Sequence, residues 1–280
     1  MDKVTELKTI ATQVRRDLLR MIHAKKSGHP GGSLGVTDLM VTLYFDIMEH
    51  DPKNFDLDGK NQDLFFLSNG HTSAAWYSTL ARCGYFPVEE LKTFRAINSR
   101  LQGHPTTAEG LPGIRIASGS LGQGLSAACG AALAKKLNND NHTIYCLMGD
   151  GEIEEGQVWE AAMFANAREI DNLIAFVDHN QKQIDGTTEE VMKLGDVKAK
   201  FEAFGWYVLQ CDGNNIEELR KTINDAKKHT GNKKPVVILM KTEMGMGVDF
   251  MMGTHKWHGT PPNDEQLAAA LAQLPETCYG

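Results

Sequence analysis

Helical stretches alternate with short aliphatic runs along the chain. Between residues 4 and 26, apolar residues such as Leu7, Ile10 and Val14 recur at helical spacing and fall on one face. The same spacing predicts further helices over residues 36–48, 72–83, 88–97, 125–137, 158–168 and 216–228. Short apolar runs bounded by polar residues or glycine predict strands over residues 143–148, 173–178, 206–210 and 235–241.

This alternation predicts the α/β class, with a doubly wound parallel sheet and helices on both of its faces. In such folds, ligands bind at the carboxyl ends of the strands. The chain contains no internal repeat, low-complexity tract or Pro/Ser-rich linker. We therefore expect residues 1–280 to form a single domain.

Composition narrows the possible functions. The 280 residues are 41% hydrophobic and carry a formal net charge of −7, which excludes collagen-like and disordered chains and disfavours a nucleic-acid partner. The longest aliphatic runs, such as residues 236–240, are much shorter than the roughly 20 residues of a membrane span. The N-terminus does not resemble a signal peptide. The five cysteines are scattered and form no CxxC pair, so we expect a cytoplasmic protein without structural zinc.

Polar residues follow two of the predicted strands. Gly149, Asp150 and Gly151 come directly after one strand, and Asn180 comes just after another. Because neighbouring parallel strands end at the same sheet edge, a carboxylate and a carboxamide are expected to meet there. Such oxygen ligands suit Mg²⁺ or Ca²⁺. Phosphate oxygens and water can then complete the coordination shell of the ion. The flanking glycines would let a diphosphate approach the backbone. Gly-Asp-Gly alone is also a common turn, and the matched Asn180 favours the metal hypothesis.

Seven segments, in order, carry a family resemblance. They are SGHPGGSLG (27–35), LSNGHTSAAWY (67–77), GHP (103–105), GSLGQGLS (119–126), GDGEIEEGQVWEA (149–161), DHNQKQIDG (178–186) and GTHKWHGTPP (253–262). The sequence resembles the thiamine diphosphate motif and, over residues 14–262, the N-terminal, diphosphate-binding half of transketolases. The resemblance implies the thiamine diphosphate-binding fold of the family's diphosphate (PP) domain.

The resemblance also implies a metal and cofactor site. Asp150 and the Asn180 side chain would bind Mg²⁺, for which Ca²⁺ or Mn²⁺ could substitute, and the backbone carbonyl of Lys182 would be the third protein ligand. The implied contacts of thiamine diphosphate are His71, Gly119, Ser120, Leu121, Gly149, Gly151, Asn180, Ile184 and His258. Three departures from the usual motifs, Thr106, Ser120 and His179, leave these ligands in place.

Five of the ten histidines lie in loops bracketed by glycine or proline: His29, His71, His104, His255 and His258. Ketol transfer needs proton movement near neutral pH, and imidazole can both accept and donate a proton. The resemblance implies catalytic roles for His29, His104 and His258. Two alternatives stay open: solvated loop histidines, or a zinc site at the HxxH spacing of His255 and His258. No third zinc ligand follows at a usual spacing.

Two further patterns have more than one interpretation. The resemblance implies that Glu155 and Glu160 meet their counterparts across a subunit interface. An acid there could instead complement a helix N-terminus, as we expect for Glu152 and Glu154. Residues 119–124 superficially resemble a dinucleotide fingerprint, but their glycines read GxxGxG rather than GxGxxG, which disfavours a nicotinamide site.

In transketolases, the glutamate that activates the cofactor belongs to a second, pyrimidine-binding domain, and no such unit follows residue 262 in this sequence. We therefore expect the N-terminal subunit of a split transketolase. A separate C-terminal subunit would carry the pyrimidine-binding and C-terminal domains, and a homodimer contact through the present domain would build a heterotetramer. The complex would transfer a two-carbon ketol unit from a ketose phosphate to an aldose phosphate, as in pentose phosphate metabolism.

Three alternatives remain for the reaction. The chain could serve a transketolase-like enzyme for an unusual ketose, a synthase of the deoxyxylulose phosphate type, or a binding module without catalysis. The segment at residues 27–35 favours transketolase over the synthase, and the run of loop histidines argues against a module without catalysis.

Overall fold

A computed structural model describes residues 2–280. Seven strands are present in this part of the chain: β1 (Leu64–Leu67), β2 (Ile144–Gly149), β3 (Leu173–His179), β4 (Lys182–Gln183), β5 (Gly186–Thr187), β6 (Tyr207–Asp212) and β7 (Val236–Lys241). Five of them form one parallel sheet in the order β1-β2-β3-β7-β6. The short strands β4 and β5 form a separate antiparallel hairpin.

Helices cover both faces of the five-stranded sheet. They are α1 (Lys3–Lys25), α2 (Pro30–Thr42), α3 (Ser73–Arg82), α4 (Gln123–Leu137), α5 (Gly156–Ala167), α6 (Thr188–Val191), α7 (Val197–Ala203), α8 (Ile216–His229) and α9 (Asp264–Gln273). Alternate strand residues point to opposite faces and fill two cores. Phe65 and Tyr145 pack with α1, α2, α3 and α8, whereas Phe66 and Cys146 pack with α4, α5 and α7. This arrangement confirms the predicted α/β class with helices on both faces.

Two ion pairs with little solvent exposure join helices α1, α2 and α3. The Arg15 guanidinium on α1 lies 2.6 Å from the Asp38 carboxylate on α2, and Arg82 on α3 lies 2.8 Å from Asp17 on α1. Breaking one member of such a pair would leave an uncompensated buried charge, which is strongly destabilising. Helix α2 begins directly after His29, so these pairs also hold the segment that carries that histidine.

Some predicted elements differ from the structure. The helix predicted over residues 88–97 is wrong: a 3-10 helix, Val88–Thr93, is followed by irregular chain in which Arg95 has a φ of +54°. Helix α2 starts at Pro30 rather than at residue 36, because proline fits a first helical turn, where no N–H is needed. The end of that prediction is a π-helix, Leu43–Ile47.

Strand β1 was not predicted. Its four residues, Leu64–Leu67, are all buried because both faces of the sheet are covered, so no alternation of polar and apolar residues marks them. The hairpin β4–β5 and the helices α6, α7 and α9 were missed as well. Within residues 2–280, no helix has the length and apolar character that a membrane span requires.

Candidate functional site

The carboxyl ends of β1, β2 and β3 open into one cavity of about 200 Å³. Its walls also include the start of α2 and the loops around residues 119–121 and 258. The lining residues are His29, Gly32, Asn69, His71, Gly119, Leu121, Gly149, Asp150, Gly151, Glu152, Asp178, Asn180, Lys182, Gln183, Ile184, Met244 and His258. The cavity therefore brings together most of the site residues proposed from the sequence.

The proposed metal ligands lie at the ends of two paired strands. Gly149 on β2 is in register with Asp178 on β3, which places the loops that follow these residues side by side. Asp150 is 2% exposed, and its carboxylate accepts hydrogen bonds from the backbone N–H groups of Gly151 and Gln181. The Asn180 side chain donates from Nδ2 to Asp178 Oδ2 over 2.9 Å. The carboxylate and the carboxamide are thus buried at one sheet edge.

The carboxylates at this edge lack an ion-pair partner, although the charge of Lys182 acts to lower the pKa of Asp178. Burial, and then the neighbouring Asp178 charge, raise the pKa of the Asp150 carboxyl. Burial also raises the pKa of Asp178, although Thr242 and Asn180 donate hydrogen bonds to it. Neither carboxylate forms an ion pair with a lysine or arginine in the described chain. A divalent cation would favour the ionised forms and remove this repulsion, so the residues fit a metal.

The donor set suits a hard cation that brings other ligands with it. Among residues 2–280, no three His, Cys, Asp or Glu side chains are arranged to hold a metal ion. A zinc site built on His255 and His258 therefore has no third ligand of these kinds. Mg²⁺ commonly binds through one or two carboxylates, with phosphate oxygens and water completing its octahedron.

Four histidines form a cluster: His29, His71 and His258 line the cavity, and His104, which is not a lining residue, lies beside His29. The ring centroid of His29 lies 5.3 Å from that of His71, 6.0 Å from that of His104 and 5.7 Å from that of His258. Burial, together with the charges of neighbouring residues, lowers the pKa of His29 to about 4. Burial is also the main cause of the lowered pKa values of His71, His104 and His258. The rings are therefore neutral at pH 7, each with one donor and one acceptor nitrogen.

Two of these rings have a free nitrogen. Nδ1 of His29 and Nδ1 of His258 are buried without a hydrogen-bond partner. Buried polar atoms usually have hydrogen-bond partners. Unsatisfied nitrogens in a cavity therefore indicate that a bound ligand supplies the missing partners. His255 does not line the cavity, although its carbonyl accepts a 2.9 Å hydrogen bond from the His258 N–H.

The loop at residues 119–121 forms another wall. Gly119 has a φ of +149°, and a Cβ at this position would lie 3.1 Å from side-chain atoms of His104. Glycine therefore allows the loop to pack directly on this histidine. Leu121 lines the cavity, whereas Ser120 is exposed and does not. The structure thus separates Ser120 from the other two residues of the proposed contact.

Glu152 has a role that the sequence did not suggest. It is 2% exposed, and its carboxylate accepts from the Ser68 hydroxyl, from Gly122 N over 2.8 Å and from Gly149 N over 3.0 Å. We expected this acid to complement a helix N-terminus; the helix is α4, whose N-cap residue Gly122 donates to it, whereas the contacts with Ser68 and Gly149 were not expected. Its carboxylate joins the ends of β1 and β2 to the start of α4 and so fixes three walls of the cavity.

The loop after β3 is tied to the loop that carries His258. Lys182 Nζ lies 3.1 Å from Glu243 Oε1, which also accepts from Gly253 N over 2.9 Å. Ile184 lies in the turn of the β4–β5 hairpin, at the cavity wall, and is 61% exposed. This leaves an apolar side chain at the rim, available to a bound ring.

The proposed interface acids lie outside the cavity. Glu155 and Glu160 are both exposed, the first at the N-cap of α5 and the second within α5. The Glu155 side chain makes no capping hydrogen bond. The same helix exposes Met163 and Phe164, which are 53% and 40% accessible. Acidic and apolar side chains thus share the uncovered surface of α5.

Comparison with known protein families gives a match over most of the chain. A family model described as "Transketolase, thiamine diphosphate binding domain" matches residues 7–276. The 6-deoxy-6-sulfo-D-fructose transketolase subunit SqwG of Clostridium sp. (strain MSTE9) is 41% identical over 269 residues, which cover 96% of each chain. An apulose-4-phosphate transketolase subunit of Phocaeicola vulgatus is 39% identical over 277 residues, or 98% of this chain and 95% of the relative.

Solved structures agree with these relatives. Transketolase from Campylobacter jejuni superposes with a TM-score of 0.89 at 36% identity over 98% of this chain and 43% of that chain. Pichia stipitis transketolase in complex with sedoheptulose-7-phosphate gives a TM-score of 0.89 at 33% identity, over 99% of this chain and 42% of that chain. The present chain thus spans about two fifths of these transketolases and nearly the whole of the two bacterial subunits.

Proposed function

The chain belongs to the transketolase family as a thiamine diphosphate-binding domain, and from this premise we propose that it is the N-terminal subunit of a split transketolase. One observation carries the proposal: His29, His71 and His258 line the same cavity as Asp150 and Asn180 at the sheet edge, and the His104 ring lies 6.0 Å from that of His29. Two relatives that are named as transketolase subunits match this chain over nearly their whole length, which supports the proposal.

The cavity residues fit the cofactor and its metal. Asp150, the Asn180 side chain and the Lys182 carbonyl would hold Mg²⁺, and Gly151 and His71 would contact the diphosphate. When bound, thiamine diphosphate supplies the stabilisation of a carbanion that ketol transfer requires. The carboxylates without an ion-pair partner and the unsatisfied buried nitrogens support this assignment.

The histidines would handle the sugar. His29, His104 and His258 are neutral near pH 7, so each can donate from one nitrogen and accept at the other. We assign them to the substrate's reactive end, where a hydroxyl proton is removed and returned and a developing alkoxide needs donors. The unsatisfied Nδ1 atoms of His29 and His258 support this role.

A complete active site would need partner chains. We propose that a C-terminal subunit supplies the pyrimidine-binding domain and that two copies of the present chain meet through α5, giving a heterotetramer. Exposed Glu155 and Glu160 beside exposed Met163 and Phe164 support this contact. All five cysteines are free thiols, which supports a reducing, cytoplasmic location.

The substrate would be a sugar with an anionic end group. The names of the two relatives specify 6-deoxy-6-sulfo-D-fructose and apulose 4-phosphate, so donors other than the common pentose phosphates deserve equal weight. This favours the alternative of an unusual ketose over a synthase of the deoxyxylulose phosphate type.

The test is reconstitution. The chain is purified alone and together with the pyrimidine-domain subunit, and each preparation is assayed with thiamine diphosphate and Mg²⁺ against a panel of ketose and aldose phosphates, with a sulfo-ketose included. We expect turnover only from the pair. Full activity of the chain alone would refute the split arrangement, and a pair inactive on every substrate would refute the transferase assignment.

A further inference from the structure

Asn69 is a buried amide without a hydrogen-bond partner. It follows β1 after Ser68, it is 1% exposed, and neither Oδ1 nor Nδ2 makes a hydrogen bond. A buried amide that loses its water without gaining partners is costly, and native structures rarely leave both groups of one side chain unsatisfied. The nearby Asn180 shows the usual case, because both of its amide groups are paired.

The backbone holds Asn69 in place. The Asn69 N–H donates to the Leu147 carbonyl over 3.4 Å, and the Asn69 carbonyl accepts from Thr72 N over 3.0 Å. Gly70 packs so closely on Ser118 that a Cβ there would lie 2.6 Å from the Ser118 hydroxyl. Backbone hydrogen bonds on both sides of the residue and the close packing of Gly70 thus fix the position of Asn69.

The side chain faces the cavity beside the Gly-Asp-Gly turn. Asn69 is one of the lining residues, and its Cβ lies 3.9 Å from the position a Cβ would take on Gly149. The nearby carboxylates of Asp150 and Glu152 already accept hydrogen bonds from other groups. The amide N–H is not paired with any protein acceptor, and an acceptor on a ligand in the cavity would satisfy it.

We propose that Asn69 binds the diphosphate end of the cofactor, with Nδ2 donating to a phosphate oxygen and Oδ1 accepting from a water of the metal shell. The proposal rests on the proposed function, because it takes thiamine diphosphate and Mg²⁺ as the ligands. Phosphate oxygens are acceptors, and Mg²⁺ usually keeps several waters, which are donors. Both halves of the amide then find partners at the turn it faces.

The main test is Asn69→Leu in the complex of this chain with its pyrimidine-domain subunit. Binding of thiamine diphosphate with Mg²⁺ is measured by calorimetry, and Tm is measured without ligand. We expect binding to weaken roughly 10- to 100-fold, the loss that follows removal of a hydrogen bond to a charged group. The ligand-free Tm should stay the same or rise, because an unsatisfied buried amide is gone. A clear fall in ligand-free Tm with unchanged binding would show a purely structural role.

Inorganic pyrophosphate with Mg²⁺ is the second probe. Asn69→Leu should weaken pyrophosphate binding as it weakens cofactor binding, and loss of cofactor binding alone would overturn the assignment to the diphosphate. Asn69→Asp, which keeps the side-chain shape, guards against misfolding of the leucine variant. It places a negative charge at the phosphates and should weaken binding further, so wild-type affinity in this variant would also overturn the proposal.

Asn172 provides the matched control. Its Oδ1 is likewise buried without a partner, but its Nδ2 donates to the Ala132 carbonyl over 3.0 Å, and it lies at the amino end of β3. Asn172→Leu should lower Tm and leave binding unchanged, and weaker binding in this control would overturn the interpretation of the Asn69 result. If the wild-type complex itself does not bind thiamine diphosphate, the proposed function fails, an outcome distinct from equal binding by wild type and Asn69→Leu.

Discussion

The two ends of the parallel sheet carry similar side chains in opposite electrostatic states. At the amino end, Lys135 lies 2.6 Å from Asp140 and Lys136 lies 2.7 Å from Asp171. Burial acts to raise the pKa of both aspartates, but hydrogen bonds, led by those from the lysines, hold it below the usual range. At the carboxyl end, Asp150 has no cationic partner, and its pKa is raised.

Cavity size alone would favour the amino end of the sheet over the proposed site. The amino end has a hollow of about 540 Å³ beside Lys135 and Asp140, larger than the 200 Å³ cavity at the carboxyl end. The charged groups around the larger hollow are paired, whereas the smaller cavity holds unsatisfied amide and imidazole atoms. Unsatisfied polar groups and carboxylates with raised pKa values, rather than volume, therefore favour the carboxyl end as the binding end of this sheet.

The largest expected difference between the two ends is in metal-dependent binding. Asp150→Ala in the two-subunit complex should weaken Mg²⁺-dependent binding of thiamine diphosphate. Loss of a group that hydrogen-bonds to a metal ligand typically costs roughly 10- to 100-fold in affinity, and loss of the ligand itself should cost more. Asp140→Ala removes an aspartate from the amino end and should leave binding unchanged. Calorimetry with and without Mg²⁺ measures both variants, and wild-type affinity after Asp150→Ala would refute the metal assignment.

A smaller effect is expected at Glu152. A variant at the carboxyl end should lose both stability and binding, whereas a variant at the amino end should lose stability alone. Glu152→Ala leaves three buried donors without an acceptor and should lower stability by about 1–3 kcal/mol or more. It should also weaken cofactor binding, because three cavity walls lose their common contact. Lys135→Ala breaks the Asp140 pair and should lower stability alone. Thermal denaturation and calorimetry on both variants make the comparison. Equal binding by wild type and Glu152→Ala would show that the walls hold without this contact.

The smallest predicted effect concerns pH. The pKa of His29 is about 4 in the folded chain and near 6.5 when unfolded, so unfolding takes up a proton between these values. The stabilisation that this histidine contributes by staying neutral is complete above pH 6.5 and is lost as the pH falls toward 4. His29→Gln should therefore reduce the fall in Tm between pH 7 and pH 4.5.

Asp140→Asn is the control for the opposite end. The pKa of Asp140 is lowered in the folded state, so its contribution to stability is present above pH 4 and is lost only below that value. This variant should change the pH dependence of Tm only in strong acid. The same flattening between pH 7 and pH 4.5 in both variants would contradict the difference between the ends.

The sequence predicted strands β2, β3, β6 and β7 because each is a clear apolar run between polar residues. It also located Asp150 and Asn180, because both directly follow a strand. It could not reveal Glu152 or Asn69, since their roles depend on partners that only the fold supplies. The Ser68 hydroxyl that Glu152 binds is 84 residues away in the chain. A helical prediction over residues 88–97 failed because no local signal marks the positive φ at Arg95.

The strand order determines when the cavity can be completed during synthesis of the chain. β6 pairs only with β7 in the five-stranded sheet, and β7 is the last of these strands to leave the ribosome. The cavity walls extend from residue 29 to residue 258, so no shorter nascent segment contains them. A ligand that needs the complete cavity can therefore bind only after this whole segment has been synthesised and folded, and it then stabilises the folded chain by binding it.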